Sequence, residues 1–429
     1  MSFSSIILTL FTILSLFTQA QATDTLSPGQ SLRDGSSLVS AGKIFEFGFF
    51  SSPNNSTNRY VGIWYHDSPN TLLWVANRDT PLPDKFGSLS ISTEGNLILV
   101  DSTGKTLWSS NASSAMSNET TVKLLDSGNL QLNDSGRVVW QSFDHPADTY
   151  LPGMKIGLDI TTNVNQMLTS WKSSADPAAG NYSIRFDPGW STQVFIWEGT
   201  EPRWRLGRWD GQEFIGLEYK GPFYIDGFQI SNYKEEGKMY FYYPTADVSH
   251  RFVLTWDGIL EHVVWKHDTK AWTRVWAEPI TDCEFYNKCG NGGVCTDNNT
   301  PVCSCLQGYV PKSGNEWNNG NWTSGCIRRT PLQCEKNASS NGGKQAETDG
   351  FLKLERVKVP DLSVWQQGVD ITECEQNCRA NCSCKAYSYV KGIGCLVWGG
   401  DLVDIQALSM SGNDLYLRLA GSELGKLNP

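Results

Sequence analysis

Between Thr23 and Asp282 the apolar residues come in short runs cut by Gly, Asn, Asp and Ser. Val61-Gly-Ile-Trp-Tyr65, Leu72-Leu-Trp-Val-Ala76, Leu97-Ile-Leu-Val100 and Thr106-Leu-Trp108 read as strands. Turn residues return roughly every 8–12 positions, the spacing of all-β domains. No segment here holds a long 3.6-residue apolar period. The run Ile6 to Phe17 is of another kind, continuous and followed by the small-x-small site Ala20-Gln-Ala22. At 12 residues it is too short to span a bilayer, so residues 1–22 are expected to be a signal peptide, although Met1-Ser-Phe-Ser-Ser lacks a positive charge. No other stretch has the length of a membrane span, and the polar tail after Leu419 suggests neither a membrane anchor nor a lipid anchor.

One pattern repeats. Gly95-Asn96-Leu97-Ile-Leu-Val-Asp-Ser-Thr-Gly104 leads to Trp108, and Gly128-Asn129-Leu130-Gln-Leu-Asn-Asp-Ser-Gly136 leads to Trp140, at an offset of 33 residues. Each copy is a strand, a tight turn and a strand ending on Trp. Such a hairpin cannot bury a face alone, so the copies must stack, which predicts a pseudo-symmetric β architecture. Two further runs extend the pattern: Leu73-Trp74-Val75-Ala76-Asn77-Arg78-Asp79 and Trp140-Gln-Ser-Phe-Asp-His-Pro-Ala-Asp-Thr-Tyr-Leu-Pro-Gly153. With them, the first 150 residues resemble the plant receptor branch of bulb-type (G-type) mannose-binding lectin domains. The resemblance implies a β-prism of three sheets with one Trp-bearing unit per sheet.

Residues 154–282 stay rich in strands and Trp. Trp171-Lys-Ser-Ser-Ala-Asp-Pro177, Gly180-Asn-Tyr-Ser183 and Arg205-Leu-Gly-Arg-Trp209-Asp-Gly211 resemble the S-locus glycoprotein domain, which implies a second lectin-like β-prism.

Composition divides the chain differently. Of 429 residues 12 are Cys, all between Cys283 and Cys395. Behind a signal peptide the compartment is oxidising, and an even count suggests six disulfides. Zinc is the weaker alternative, since zinc knuckles favour C-x2-C and this chain has Cys303-x-Cys305 and Cys382-x-Cys384. The spacing Cys283-x5-Cys289-x5-Cys295-x7-Cys303-x-Cys305-x20-Cys326 resembles an EGF-like module, and the resemblance implies pairs 283–295, 289–303 and 305–326. Cys374-x3-Cys378-x3-Cys382-x-Cys384-x10-Cys395, with Ala386-Tyr387 and Gly394-Cys395-Leu396-Val397-Trp398, resembles a PAN/apple domain. That implies pairs 374–395 and 378–384, with a helix over Glu373 to Ala380, the one helix the sequence supports. Cys334 and Cys382 remain and are expected to pair, although sequence alone does not fix connectivity.

The expected fold is mainly β: tandem β-prism (bulb-type lectin) domains, a disulfide-rich EGF-like module and a small α+β PAN/apple domain. The division is 1–22 signal peptide, 23–153 lectin, 154–282 S-locus glycoprotein, 283–334 EGF-like, 345–420 PAN/apple and 421–429 truncated juxtamembrane tail.

Candidate chemistry is sparse. Net charge is −10 with no basic run, which excludes a nucleic-acid surface. His66, His145, His250, His262 and His267 sit in no metal motif, and His145 reads as fixing the Asp144–Asp148 turn. No P-loop, G-x-S-x-G or kinase glycine loop occurs, and no acidic pair stands out as a glycosidase dyad. The scattered acids of Glu278-Pro-Ile-Thr-Asp282 do not suggest calcium, so neither metal nor cofactor is expected. Sequons start at Asn54, Asn55, Asn111, Asn118, Asn133, Asn181, Asn298, Asn321 and Asn337, with a further one at Asn381 beside Cys382; their density suits an N-glycosylated surface protein.

The lectin family's sugar site follows Gln-x-Asp-x-Asn-x-Val-x-Tyr, whose polar groups at alternate strand positions share one face. Here the aligned residues are Ser92, Glu94, Asn96, Ile98 and Val100, then Leu125, Ser127, Asn129, Gln131 and Asn133. Glu94, Asn96 and Asn129 are the candidate sugar contacts. The favoured reading is that the two asparagines hold hairpins, because the Tyr hydroxyl and most amides are gone. The aromatic, acidic stretch Phe223-Tyr-Ile-Asp-Gly-Phe228, with Tyr240-Phe-Tyr-Tyr243, suggests a peptide surface that the net charge would steer toward a basic, cysteine-rich partner.

Together the modules resemble the ectodomain of plant S-locus glycoproteins and G-type lectin S-receptor-like kinases, without the transmembrane and kinase parts. The expected function is extracellular ligand recognition, of pollen or defence signals, by a secreted or cell-surface glycoprotein that is not itself an enzyme. The alternatives are a soluble mannose- or carbohydrate-binding lectin and, third, a secreted glycosidase. Expected partners are a peptide or small extracellular ligand, glycans in the lectin reading, and a second copy (homodimer) or receptor co-partner. A membrane enters only through a span beyond Pro429.

Overall fold

In the computed structural model, residues 23–52, 57–112, 119–187, 189, 191–218, 229–243, 245, 247–336 and 348–427 are described. Two compact units form: residues 1–147 with 172–179, and 148–171 with 180–429.

The first unit is a β-prism of three four-stranded antiparallel sheets. One runs Thr25–Leu26, Thr121–Leu124, Leu130–Asp134, Arg137–Gln141; the next Ser31–Arg33, Ser88–Ile91, Leu97–Val100, Thr106–Ser109; the third Ser37–Val39, Phe45–Ser51, Arg59–Tyr65, Ser68–Val75. Alternation sets which side chains go inward. Leu97 and Leu99 are buried while Ile98 and Val100 are half-buried, and Leu130 and Leu132 repeat the inward positions. Gly104 and Gly136 turn the two repeated hairpins at φ +86° and +81°, where a Cβ is disfavoured.

Each sheet supplies one tryptophan to the prism axis. Trp74, Trp108 and Trp140 meet edge to face, with ring centroids 5.9, 5.8 and 5.8 Å apart. Each such pair adds about 0.5–1.5 kcal/mol beyond burial. Trp140 is also stacked by His145 at 5.4 Å, and the His145 carbonyl accepts the Trp74 Nε1–H at 2.8 Å. The triad therefore closes the prism without a covalent bond.

The second unit begins with another three-sheet prism. Its sheets are Thr149–Tyr150 with His250–Leu254, Leu260–Lys266 and Ala271–Glu278; Val164–Gln166 with Lys155–Asp159, Lys238–Tyr242 and Gln229–Tyr233; and Leu168–Ser173 with Asp176–Phe186, Gln193–Glu198 and Glu201–Arg208. Among the described residues aliphatic side chains with Tyr150, Phe214, Phe241 and Phe252 fill this axis, around an apolar void of about 30 Å³.

The EGF-like and PAN-type modules then share an eight-stranded sheet. Gly293–Cys295 pairs in parallel with Ile405–Ala407, which continues through Gly350–Lys358 and Asn413–Leu419. Six disulfides bridge these modules: 283–295, 289–303, 305–326, 334–382, 374–395 and 378–384, with no free cysteine. The sulfurs of Cys289, Cys295 and Cys303 lie within 4.8 Å of one another, but bridges consume all three.

Four helices occur among the described residues, so the expectation of a single helix is corrected. Ile371–Ala380 has a capping box, in which Asp370 accepts from Thr372 and Glu373. Arg418 donates to the carbonyls of Cys378, Arg379 and Asn381 at its other end. Gly314–Asn318, Gln333–Lys336 and Gly421–Leu427 also form. They are too short to show a helical apolar period. Local caps and tertiary contacts hold them instead: Ser313 caps the first, and Glu423, buried in the last, accepts from Thr330 and Arg329. The polar tail is thus partly helical. No helix among the described residues is long and apolar enough to cross a membrane.

Candidate recognition site

The lectin-motif positions lie on the first prism, but they do not form one alternating strand. Ser92 to Gly95 make a turn, with Gly95 N–H donating to Ser92 O at 2.9 Å and φ +80° at Gly95. Asn96, Ile98 and Val100 alternate as half-buried positions with buried Leu97 and Leu99. The turn takes Ser92 and Glu94 out of the strand alternation that the family pattern implies.

The two asparagines have the same job. Asn96 Oδ1 accepts from Ser110 Oγ (3.0 Å) and from Ala112 N–H (2.8 Å), while Leu97 N–H donates to Ser110 Oγ (3.1 Å). Asn129 Oδ1 accepts from Ser142 Oγ and Phe143 N–H, both at 3.3 Å, and Leu130 N–H donates to Ser142 Oγ (2.9 Å). In the third sheet Asn77 Oδ1 accepts from Val61 N–H at 2.8 Å. Each ties the segment that follows a Trp-bearing strand to the neighbouring strand, so its acceptor faces protein rather than ligand. Glu94 is exposed, and its carboxyl is held below the usual range by Ser92, its own backbone and Thr93, all within the turn.

The longer signature runs are scaffold too. Arg78 Nε donates to Pro177 O (2.8 Å) and Asp79 accepts from Ala179 N–H (2.9 Å), both within the first unit. Gln141 accepts from Asn129 Nδ2 at 2.9 Å, beside Trp140 of the triad. Burial pulls the His145 pKa down.

In the second unit Arg205, from the Arg-x-Gly-x-Trp-x-Gly run, is wholly buried. Its Nε donates to Asp404 Oδ2 (2.6 Å), Nη1 to Gln193 Oε1 (3.2 Å), and Nη2 to the carbonyls of Val359 (2.7 Å) and Asp404 (2.9 Å). Lys358, equally buried, reaches Asp404 at 3.2 Å, and Asn287 N–H donates to Asp404 Oδ1 at 2.8 Å. Asp361 accepts from Gln193 (2.9 Å) and Tyr286 (2.8 Å). One cluster thus ties the second prism, the EGF-like module and the PAN-type module. Burial opposes every charge in it. Lys358 yields, its pKa lowered; Asp404 does not, because Lys358 and Arg205 hold its carboxyl below the usual range. Burial likewise works against Arg205, yet Asp404, Asp361 and Tyr286 raise its pKa on balance. Sequence reading singled out Arg205 but missed Lys358, Asp361 and Asp404, which no local pattern marks.

Among the candidate glycosylation sites, Asn111, Asn181, Asn298, Asn321 and Asn381 are exposed and Asn133 is half-buried. Asn54, Asn55, Asn118 and Asn337 lie outside the described residues, as do the signal-peptide segment and Phe223 to Phe228. Of the neighbouring aromatics, Phe241 is core, Tyr242 donates to Gln229 (2.6 Å) and Tyr240 lies under Lys155.

Three families match in order along the chain: D-mannose binding lectin at residues 71–172, S-locus glycoprotein domain at 204–313 and PAN-like domain at 334–405. The chain thus carries lectin, S-locus glycoprotein and PAN-type domains, and along nearly its whole length it is similar to G-type lectin S-receptor-like kinases. It is 41% identical over 99% of its length to the G-type lectin S-receptor-like serine/threonine-protein kinase B120 of Arabidopsis thaliana, covering 50% of that protein. To the Arabidopsis thaliana kinase SD1-13 it is 39% identical over 94% of its length, covering 49% of that protein. It spans about half the length of these curated relatives, and its matched domains include no kinase domain. Among solved structures, mannose-binding lectins from Gastrodia elata are 22% identical over 28% of the chain and 96% of theirs, with a TM-score of 0.22. The mannose-specific agglutinin of snowdrop (Galanthus nivalis) is 19% identical over 27% and 92%, at 0.20. Neither score carries an argument about sugar.

Proposed function

We propose that this chain is the ligand-recognising, N-glycosylated extracellular part of a plant S-domain signalling protein, secreted or displayed at the cell surface, with recognition rather than catalysis as its role. What supports this reading is the likeness to receptor kinases along nearly the whole chain, confined to about half of their length. Pollen or defence signals are the class of input the family suggests. The ligand is a peptide or small molecule, and a second copy or co-receptor completes the signal. The test is localisation: the tagged chain expressed in leaf cells is expected in the extracellular wash, with a mass shift on glycosidase treatment. Retention in the cytosol without glycans would sink the reading.

Mannose recognition through the first prism is disfavoured by the use of Asn96 and Asn129 as hairpin locks. On a glycan array the chain is expected to ignore mannosides. Mannose binding that Asn96→Ala abolishes while the fold survives would reinstate the lectin alternative.

A further inference from the structure

Between the EGF-like and PAN-type modules lies a cleft of about 230 Å³, walled by Asn291, Tyr309 and Arg328 on one side and by Lys385, Asp401 and Leu402 on the other. At roughly 30 Å³ per water it holds some seven waters, below the range of drug-sized pockets and close to a single-ring ligand.

Its lining is charged. Asp401 takes Lys385 Nζ at 3.1 Å on one carboxylate oxygen and Asn291 Nδ2 at 3.0 Å on the other, joining the two walls. Lys385 and Lys312 both hold the Asp401 carboxyl below the usual range, Lys385 foremost. Arg328 is only 12% exposed; its Nη1 donates to Glu335 at 3.0 Å, and its guanidinium also hydrogen-bonds the Tyr309 side chain. Of the lining residues Arg328 and Lys385 are cationic and Asp401 is anionic, with Glu335 held by Arg328 outside the lining. A guanidinium beside an ammonium suits a carboxylate. The Tyr309 ring, Ile327 and Leu402 add apolar wall, and Asp401 keeps lone pairs for hydroxyl donors.

We propose that this cleft binds a hexuronate, a sugar ring bearing one carboxylate, with the carboxylate on Arg328 and Lys385, ring hydroxyls donating to Asp401 and a C–H face against Tyr309. The net positive lining favours such a singly charged anion over a zwitterion such as an amino acid. The inference rests on the recognition reading and gives it a ligand class, away from the lectin-motif positions.

The test is calorimetric titration of the intact, disulfide-bonded chain with D-galacturonate, D-galactose, L-alanine and inorganic phosphate. Galacturonate is expected to bind at least tenfold more tightly than each of the other three. Arg328→Gln and Lys385→Gln should each weaken it at least tenfold, with unchanged melting and disulfide map. Should R328Q misfold, K385Q, at a partly exposed position, carries the test alone. No binding, a comparison ligand within tenfold of galacturonate, or variants that bind like the parent would overturn the proposal. Because secretion and glycosylation are read separately, this failure is distinct from failure of the recognition reading.

Discussion

The two units build three-sheet prisms from the same kind of hairpin and finish them in opposite ways. In the first, three Trp rings meet on the axis and the polar signature residues are spent on locking hairpins. In the second, aliphatic, Phe and Tyr side chains surround a small void, and the outer face of one sheet carries Phe195 against Tyr286 and Arg205 against Asp404. The first prism is closed inward by dispersion and aromatic geometry. The second is committed outward, to neighbours that share one core around Val357, Leu396, Trp398, Leu415 and Leu417, and bridges restrict their unfolded chains besides.

The comparison can be broken most forcefully by reduction. Each disulfide is worth about 2–5 kcal/mol, so removing all six should unfold the EGF-like and PAN-type modules. Hydrogen exchange should then show loss of protection in residues 283–419 and its survival in the Cys-free first prism. Equal loss in both would erase the contrast.

Next in size are two single substitutions. Asp404→Asn leaves Arg205 and Lys358 buried without their anion and should destabilise the second unit by about 3–5 kcal/mol in denaturant melts. Replacing the trio together, with Arg205→Met, Lys358→Met and Asp404→Leu, should cost less than that single change, because both cations leave with their anion and Asp361 keeps its bonds from Gln193 and Tyr286. Trp140→Ala should cost the first prism about 3–5 kcal/mol through a cavity on its axis.

The smallest expected effect is acid sensitivity of the second prism. His262 is buried against Phe252, its Nε2 facing His250 Nδ1 at 3.1 Å and its Nδ1 without a partner. Burial first, and His250 second, push its pKa from 6.5 down to about 4. The unfolded chain then binds a proton that the folded one refuses, so stability is full above pH 6.5 and falls as pH drops toward 4. The loss approaches about 3 kcal/mol at its largest. A melt series from pH 7 to 4.5 should show this slope, and His262→Gln should flatten it.

Much of the architecture was legible because it is local. A period of two, glycine turns and a 33-residue repeat ending on Trp108 and Trp140 suffice for stacked hairpins. Trp74 in the third sheet could be placed only through the family resemblance. The short helices were missed, since one or two turns leave no periodic trace. For the site, Asn96 and Asn129 were identified as residues, but only the structure places their acceptors on Ser110, Ala112, Ser142 and Phe143.

Sequence by itself determined which segments become strands and where bridges are needed, for these follow from neighbours a few residues apart. Tertiary structure alone decided that Arg205 would meet Asp404, 199 residues on, and that Arg328 and Lys385 would face one cleft. A buried charge is tolerable only beside its partner, and that partner is chosen by packing between modules, which leaves no periodic mark along the chain.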